Sequence, residues 1–227
     1  MLIPVAALIW MTLIWPLYNG SSMFAIFGAG GFGRELVRPA REMLGERSGE
    51  LVFVADAPQE PVLDVPVLTP DRLTAEDDVV IAIGNSAARK AVASRLAARP
   101  GRLIARTALI GPGAEIGEGA VFCDYTMVTA SARIGAHFQC NIYSYVAHDC
   151  EIGAFVTFAP RVCCNGRVHI GDGAYIGTGA VLRDGTREKP LIIGENAVIG
   201  MGAVVTRDVP AGVTVIGNPA RPLERKG

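Results

Sequence analysis

From Ile110 onward the chain keeps a strict period of six: aliphatic or otherwise core-type residues recur at Ile110, Ile116, Phe122, Val128, Ile134, Cys140, Val146, Ile152, Phe158, Cys164, Ile170, Ile176 and Leu182. Glycine often follows, at Gly111, Gly117, Gly135, Gly153, Gly171 and Gly177, and the fifth position of a repeat is usually small, as at Ala114, Ala120, Thr126, Ala132, Ser144, Ala174 and Ala180. Such repeats predict a parallel β-helix, in which three repeats of six make one coil of 18 residues and each coil buries its apolar row only by stacking on its neighbours. The register breaks once, because after Leu182 the repeats resume at Ile193, Ile199 and Val205, five residues late. Arg187 to Leu191 is therefore expected as an outward loop, either a tolerated insertion or one wall of a ligand groove. Adding 18 per coil, and five for the insertion, puts Pro160, Thr178 and Met201 in one column, long enough to carry an extended ligand.

Ahead of the repeats the rhythm differs. The run Phe24 to Phe27 leads into Gly28-Ala29-Gly30-Gly31-Phe32-Gly33 and then a helical stretch from Arg34 to about Leu44, a strand–turn–helix unit. A second strand, Leu51 to Val54, ends at Asp56; a third, Val79 to Ile83, ends at Gly84-Asn85 with a helix from about Ala87 to Ala98 behind it. Residues 23–106 thus read as a small α/β, Rossmann-like domain, followed by the repeats over 107–227 and preceded by an apolar stretch over 1–22. Glycines in the first turn suit a phosphate-binding loop, since backbone amides approach a ligand closely only where no side chain intervenes. The alternative is that they serve only tight turns and helix–strand packing. A full dinucleotide fold pairs two such halves. Here about 80 residues separate Met23 from the repeats, which argues against NAD and for a mononucleotide or nucleotide sugar, with Asp56 placed to bind a ribose or sugar hydroxyl.

Composition narrows the partners. Formal net charge is -1 and the basic residues are scattered, which excludes a nucleic-acid footprint and points to a small molecule. Five cysteines, odd in number and without a C-x-x-C pair, suggest reduced thiols in a cytosolic setting and no metal site. Residues 1–18 are apolar and uncharged, long enough for a membrane span. They lack a basic start, and Met23 opens a complete unit of its own, so an upstream extension or misplaced start, an anchor and a buried helix all stay open. Membrane contact is expected only through this stretch.

Of the histidines His137, His148 and His169, none falls on the inward row. His148 stands in V-A-H-D-C-E-I-G beside Asp149, where the coil turns outward. An imidazole titrates near neutrality and can take a proton from an attacking amine or hydroxyl, an effect worth roughly 10² to 10⁴ in rate. On residues alone, a lone surface histidine is the favoured reading.

The motifs G-A-G-G-F-G-R-E after the first strand, I-G-N-S-A-A-R-K over 83–90, A-H-D-C-E-I-G around His148 and G-N-P-A-R over 217–221 together resemble the bacterial NeuD/PglD-like sugar O- or N-acetyltransferases, from Met23 to about Leu223. The resemblance implies a homotrimer whose coils wind left-handed and hold acetyl-CoA in grooves between subunits, while the N-terminal domain holds the sugar nucleotide. It implies His148 as the proton acceptor, with Asp149 raising its basicity. Gly30, Gly31, Phe32, Asp56, Gly84, Asn85 and Arg89 match sugar-nucleotide positions, and Thr157, Gly166, Thr178 and Met201 match positions near the coenzyme. Departures from the family pattern are Asp149 for a glutamate, Ala147 for a glutamate, Ala55 for an aspartate and Thr157 for a histidine. The expected reaction is N-acetylation of a UDP-linked amino-deoxysugar by direct transfer, with O-acetylation of a sialic acid and a non-catalytic nucleotide-sugar scaffold as alternatives. Cys150 takes a small fifth position and is read as packing.

Overall fold

A computed structural model describes residues 22–223. The expectations for residues 1–18 lie outside them, and among the described residues no helix is long and apolar enough to cross a membrane.

The first unit is a five-stranded parallel sheet ordered β3-β2-β1-β4-β5, with β1 at Phe24–Phe27, β2 at Leu51–Val54, β3 at Val67–Leu68, β4 at Asp78–Ile81 and β5 at Arg99–Pro100. Every residue of β1 and β2 is buried, as expected where helices cover a parallel sheet and the strands read as continuous apolar runs. The expected single helix after the glycine turn is two: α1 (Gly31–Glu35) and α2 (Val37–Leu44). Proline at 39 has no N–H for the helical bond to Glu35, so the chain breaks at Leu36 and restarts with Pro39 in the first turn of α2, where no donor is needed. Helix α3 runs only Ser86–Ala93, shorter than expected, and Ser94 turns its hydroxyl back onto the Ala91 carbonyl at 3.0 Å as the chain leaves for β5.

The second unit is the left-handed parallel β-helix, a prism with three sheet faces. It begins one repeat earlier than the periodicity suggests, since Leu103–Ile104 already pairs with Val121–Phe122. The first face stacks strands such as Val121–Phe122, Gln139–Cys140, Thr157–Phe158 and Tyr175–Ile176; the second stacks Leu109–Ile110, Met127–Val128, Tyr145–Val146, Cys163–Cys164, Val181–Leu182 and Val204–Val205; the third stacks Glu115–Ile116, Arg133–Ile134, Glu151–Ile152, Val168–Ile170 and Leu191–Ile193. The inward row from Phe122 to Leu182 is at most 4% exposed, each large side chain contributing roughly 1.5–3 kcal/mol by burial. Ile110 remains 36% exposed because no coil stacks beneath it. The late insertion occupies 183–190; Leu191, expected in the loop, is a fully buried strand residue paired with Val168. A second irregularity escapes the period: Val209 bridges Ile193 only 16 residues on, two short of a coil, before Val215 rejoins the first face opposite Ile199.

The three outward surfaces differ. On the first face Leu103, Val121, Gln139 and Thr157 are at most 2% exposed because the α/β unit covers them. Leu103, Val121 and Cys123 join the same apolar cluster as Phe24, Ile26 and Phe53. The second face presents the apolar column Leu109, Met127, Tyr145, Cys163, Val181 and Val204, with Leu109 59% and Met127 39% exposed. The third presents Glu115, Arg133, Glu151 and His169, tied by an Arg133–Glu151 ion pair at 2.9 Å. That pair is well exposed and contributes little.

Candidate active site

His148 occupies the corner between the second and third faces. Successive coils stack there through backbone hydrogen bonds from Asp149 N to Ala130 O, Arg167 N to His148 O and Gly185 N to Gly166 O, at 3.1, 3.0 and 2.9 Å. Asp149 has a left-handed backbone, φ 57°, and its Oδ2 lies 2.8 Å from His148 Nδ1. Consecutive side chains thus meet where an extended backbone would point them apart. The hydrogen bond to His148 and the nearby Arg167 and Arg187 charges hold the Asp149 carboxyl below its ordinary range. It is therefore ionised through neutral pH. A carboxylate accepting from Nδ1–H leaves the lone pair on Nε2, the tautomer a general base needs. Gly166 lies against this same ring edge: a Cβ there would fall 2.6 Å from His148 Cε1 and 2.7 Å from Nε2. Its backbone is not in the left-handed region, so only space requires glycine here.

Arg167, which the sequence reading did not single out, closes on Asp149 Oδ2 at 3.3 Å. The 18-residue coil would have found it, since 149 and 167 share a column; the same step explains the stacked pairs Tyr125–Tyr143 and His137–Phe155.

The expected coenzyme residues fall on two different corners. Gly166 is on the His148 corner. Thr178 and Met201 are on the corner between the first and second faces, stacked as foreseen through Gly179 N to Pro160 O at 3.0 Å and Gly202 N to Thr178 O at 2.8 Å. Met201 is 82% exposed. Within one chain the second face separates the two corners. Thr157 joins neither: it is 2% exposed and its hydroxyl donates to Gly84 O at 2.9 Å, so it belongs to the seam between the two units and not to a coenzyme groove.

In the α/β unit the loops after β1, β2 and β4 leave the same, carboxyl end of the parallel sheet, and the strand order switches direction between β1 and β4, where ligands of open α/β sheets bind. The glycines divide by task. Gly28 is at φ 106°, and a Cβ on Gly33 would fall 1.8 Å from Gly28 O, so these two serve the turn and the close helix–strand packing. Gly30 and Gly31 are exposed with open space where a Cβ would be, and Phe32 is half-buried beside them. Asp56 is exposed and paired with Arg95 at 2.5 Å. Gly84 and Asn85 are exposed, but Asn85 spends its Oδ1 capping α3 on Ala88 N at 2.8 Å.

Arg89 corrects the sequence reading. It is 1% exposed and cannot reach a ligand in the loops; its guanidinium is spent across the seam. Burial pushes its pKa down to about 10. His137 lies in the same seam, 6% exposed, stacked on Phe155 at 4.7 Å, with Nδ1 unpartnered. Burial, with Arg89 adding to it, pushes this imidazole below its usual value, against a smaller opposing pull from Glu118. Cys150 is fully buried, its thiol donating to Asn165 O at 3.1 Å. Among the described residues no cluster of metal-ligating side chains forms.

Comparison with known proteins fits this geometry. The PglD N-terminal domain family matches residues 23–96. A GDP-perosamine N-acetyltransferase of Escherichia coli O157:H7 is 40% identical over 215 residues, covering 90% of this chain and 97% of the relative. Among solved structures, WeeI from Acinetobacter baumannii AYE is 43% identical with a TM-score of 0.84, covering 89% of this chain and all (100%) of that one. The acetyltransferase domain of PglB from Neisseria gonorrhoeae FA1090, solved with acetyl coenzyme A, is 33% identical with a TM-score of 0.81, covering 90% and 100%.

Proposed function

We propose a specific reaction geometry for this chain, which belongs to the NeuD/PglD family of sugar acetyltransferases. It is an acetyl-CoA-dependent N-acetyltransferase of a nucleotide-linked amino sugar. The sequence reading favoured a UDP-linked acceptor; the relative that matches nearly end to end acts on a GDP-linked one, and we assign this chain a GDP-linked amino sugar of the perosamine class.

The observation that carries the mechanism is the His148 ring held between Asp149 on Nδ1 and Gly166 at Nε2. His148 Nε2 takes the proton from the sugar amine as its nitrogen bonds to the thioester carbonyl carbon. A coil backbone amide on this corner donates to the developing oxyanion. The carbon–sulfur bond then breaks, and the proton on Nε2 passes to the departing thiolate. Asp149 keeps the tautomer and the ring angle throughout.

One chain does not bring these parts together. The acceptor loops belong to the unit that covers the first face, whereas His148 projects from the opposite corner, and the coenzyme residues lie on both corners flanking the second face. Three copies with their apolar second faces turned to a common axis resolve this. Each His148 corner then meets the Thr178–Met201 corner of the next copy, and the acceptor loops of that copy lie on the adjacent face. Burial of the Leu109–Val204 column supplies the driving force.

The test is thiol release from acetyl-CoA with GDP-, UDP- and dTDP-linked amino sugars and free sialic acid, for wild type and His148→Ala. We expect turnover of the GDP-linked sugar, reduced at least about 10²-fold by the substitution. Turnover confined to a UDP-linked sugar would reassign the nucleotide, and folded protein inert toward every acceptor would leave a binding scaffold.

A further inference from the structure

We infer that Arg89 is a positioning residue for the acceptor, a buried strut that sets the nucleotide-sugar loop at the height of the catalytic coil. Its Nη1 donates to Ile83 O at 2.7 Å and Gly84 O at 3.3 Å, both on the acceptor loop after β4, and to Gln139 Oε1 at 3.1 Å. From the other side of the fork, Nη2 donates to Phe155 O at 2.7 Å and Val156 O at 3.4 Å, and Nε donates to His137 O at 3.1 Å. All these acceptors are neutral oxygens. A guanidinium this deeply buried without a carboxylate is costly to keep, and its planar fork of five N–H donors lets one side chain hold acceptors on both elements at once. Two further bonds cross the same seam, Thr157 Oγ1 to Gly84 O at 2.9 Å and Gln139 Nε2 to Ile81 O at 2.7 Å.

The carbonyls gripped on the β-helix side belong to residues 137, 155 and 156, one coil apart, and His148 lies between them in that same coil. Rotation about an axis parallel to the prism leaves heights unchanged. The strut therefore holds each acceptor loop at the level of the His148 corner of the neighbouring copy. This inference rests on the trimeric reading above. A displacement of about 1 Å between reacting groups costs on the order of 10² in rate, so the seam has to be stiff.

The experiment uses the full chain with Arg89→Lys, Arg89→Met, Thr157→Val and Gln139→Leu. Steady-state kinetics are read against each substrate, and amide hydrogen exchange is read over the 82–90 segment. We expect the Arg89 variants to lower kcat/KM for the sugar nucleotide about 10- to 100-fold with KM for acetyl-CoA unchanged. Thr157→Val and Gln139→Leu should move the same parameter in the same direction by less. Exchange over 82–90 should speed up while the amides of the coils beyond Val168 keep their protection. Arg89 variants that weaken acceptor use while both other seam variants leave it untouched would mean direct contact and would overturn the strut. So would unchanged exchange and kinetics in folded Arg89→Lys. If the wild type turned over no acceptor, the assigned function would fall, and the exchange measurement would still decide whether Arg89 holds the loop.

Discussion

Gly166→Ala is the sharpest test of the site, because the structure gives both its effect and its limits. The added Cβ would sit 2.6 Å from His148 Cε1, 2.7 Å from Nε2 and 3.2 Å from Cδ2. Carbon atoms rest roughly 3.5–4.0 Å apart, so the ring must retreat by about 1 Å. Retreat stretches the 2.8 Å bond to Asp149 and moves Nε2 away from the acceptor. Loss of a positioned general base lowers kcat by about 10²-fold, equal to about 2.7 kcal/mol of barrier. Stability should hardly change: the backbone at Gly166 is ordinary, and the half-exposed His148 ring can swing into solvent, which keeps the cost within roughly 0.5 kcal/mol. Gly135→Ala is the control, since its Cβ would strike backbone at 2.5 Å (Gly153 C) and 2.6 Å (Ala154 N), atoms that cannot step aside. It should lower the melting temperature without a selective loss of kcat. Single-turnover rates and thermal melts on both variants decide the matter. A Gly166→Ala protein with wild-type melting and kcat within threefold of wild type would refute the assignment of Nε2 as the working edge.

Three other outcomes follow from the same structure. His137 is held neutral by burial and by Arg89, whereas in the unfolded chain it protonates near 6.5, so stability is level above about pH 6.5 and is lost as pH falls below it. Urea midpoints between pH 7.5 and 5.5 should show this slope, and His137→Phe, which can still stack on Phe155, should flatten it; an unflattened slope would place the titration elsewhere. Cys150→Ala should retain full activity and lose about 1 kcal/mol of stability, read from denaturant melts, as expected of a buried packing group; a dead but folded protein would make Cys150 a participant. Val181→Glu puts a charge on the apolar second face and should give inactive monomers by light scattering, while an active trimer would exclude that face as the interface.

The fold was legible wherever a residue answers to its own repeat. An inward position in a β-helix meets the same environment every six residues, so Phe122, Val128 and Leu182 declare themselves without knowledge of anything distant. The second register break was not, because Val209 is held by its bridge to Ile193 rather than by its place in the count. In the site, the geometric expectations came through, namely the column that stacks Thr178 and Met201 and the pairing of His148 with Asp149, since each depends on local order or on the 18-residue step. Arg89 and Thr157 did not. Their partners lie 48 to 73 positions away in the other unit, and no periodicity relates an α/β helix to the coil it happens to cover. A motif match assigns a residue type to a function, but it does not distinguish an arginine that touches the ligand from one that holds the loop that does. Only burial separates the two: at 1% exposure Arg89 has given all its reach to the protein. The exposed glycine and asparagine of the same motif, Gly84 and Asn85, remain open to solvent, so what the motif marks is a surface together with the support that holds it in place.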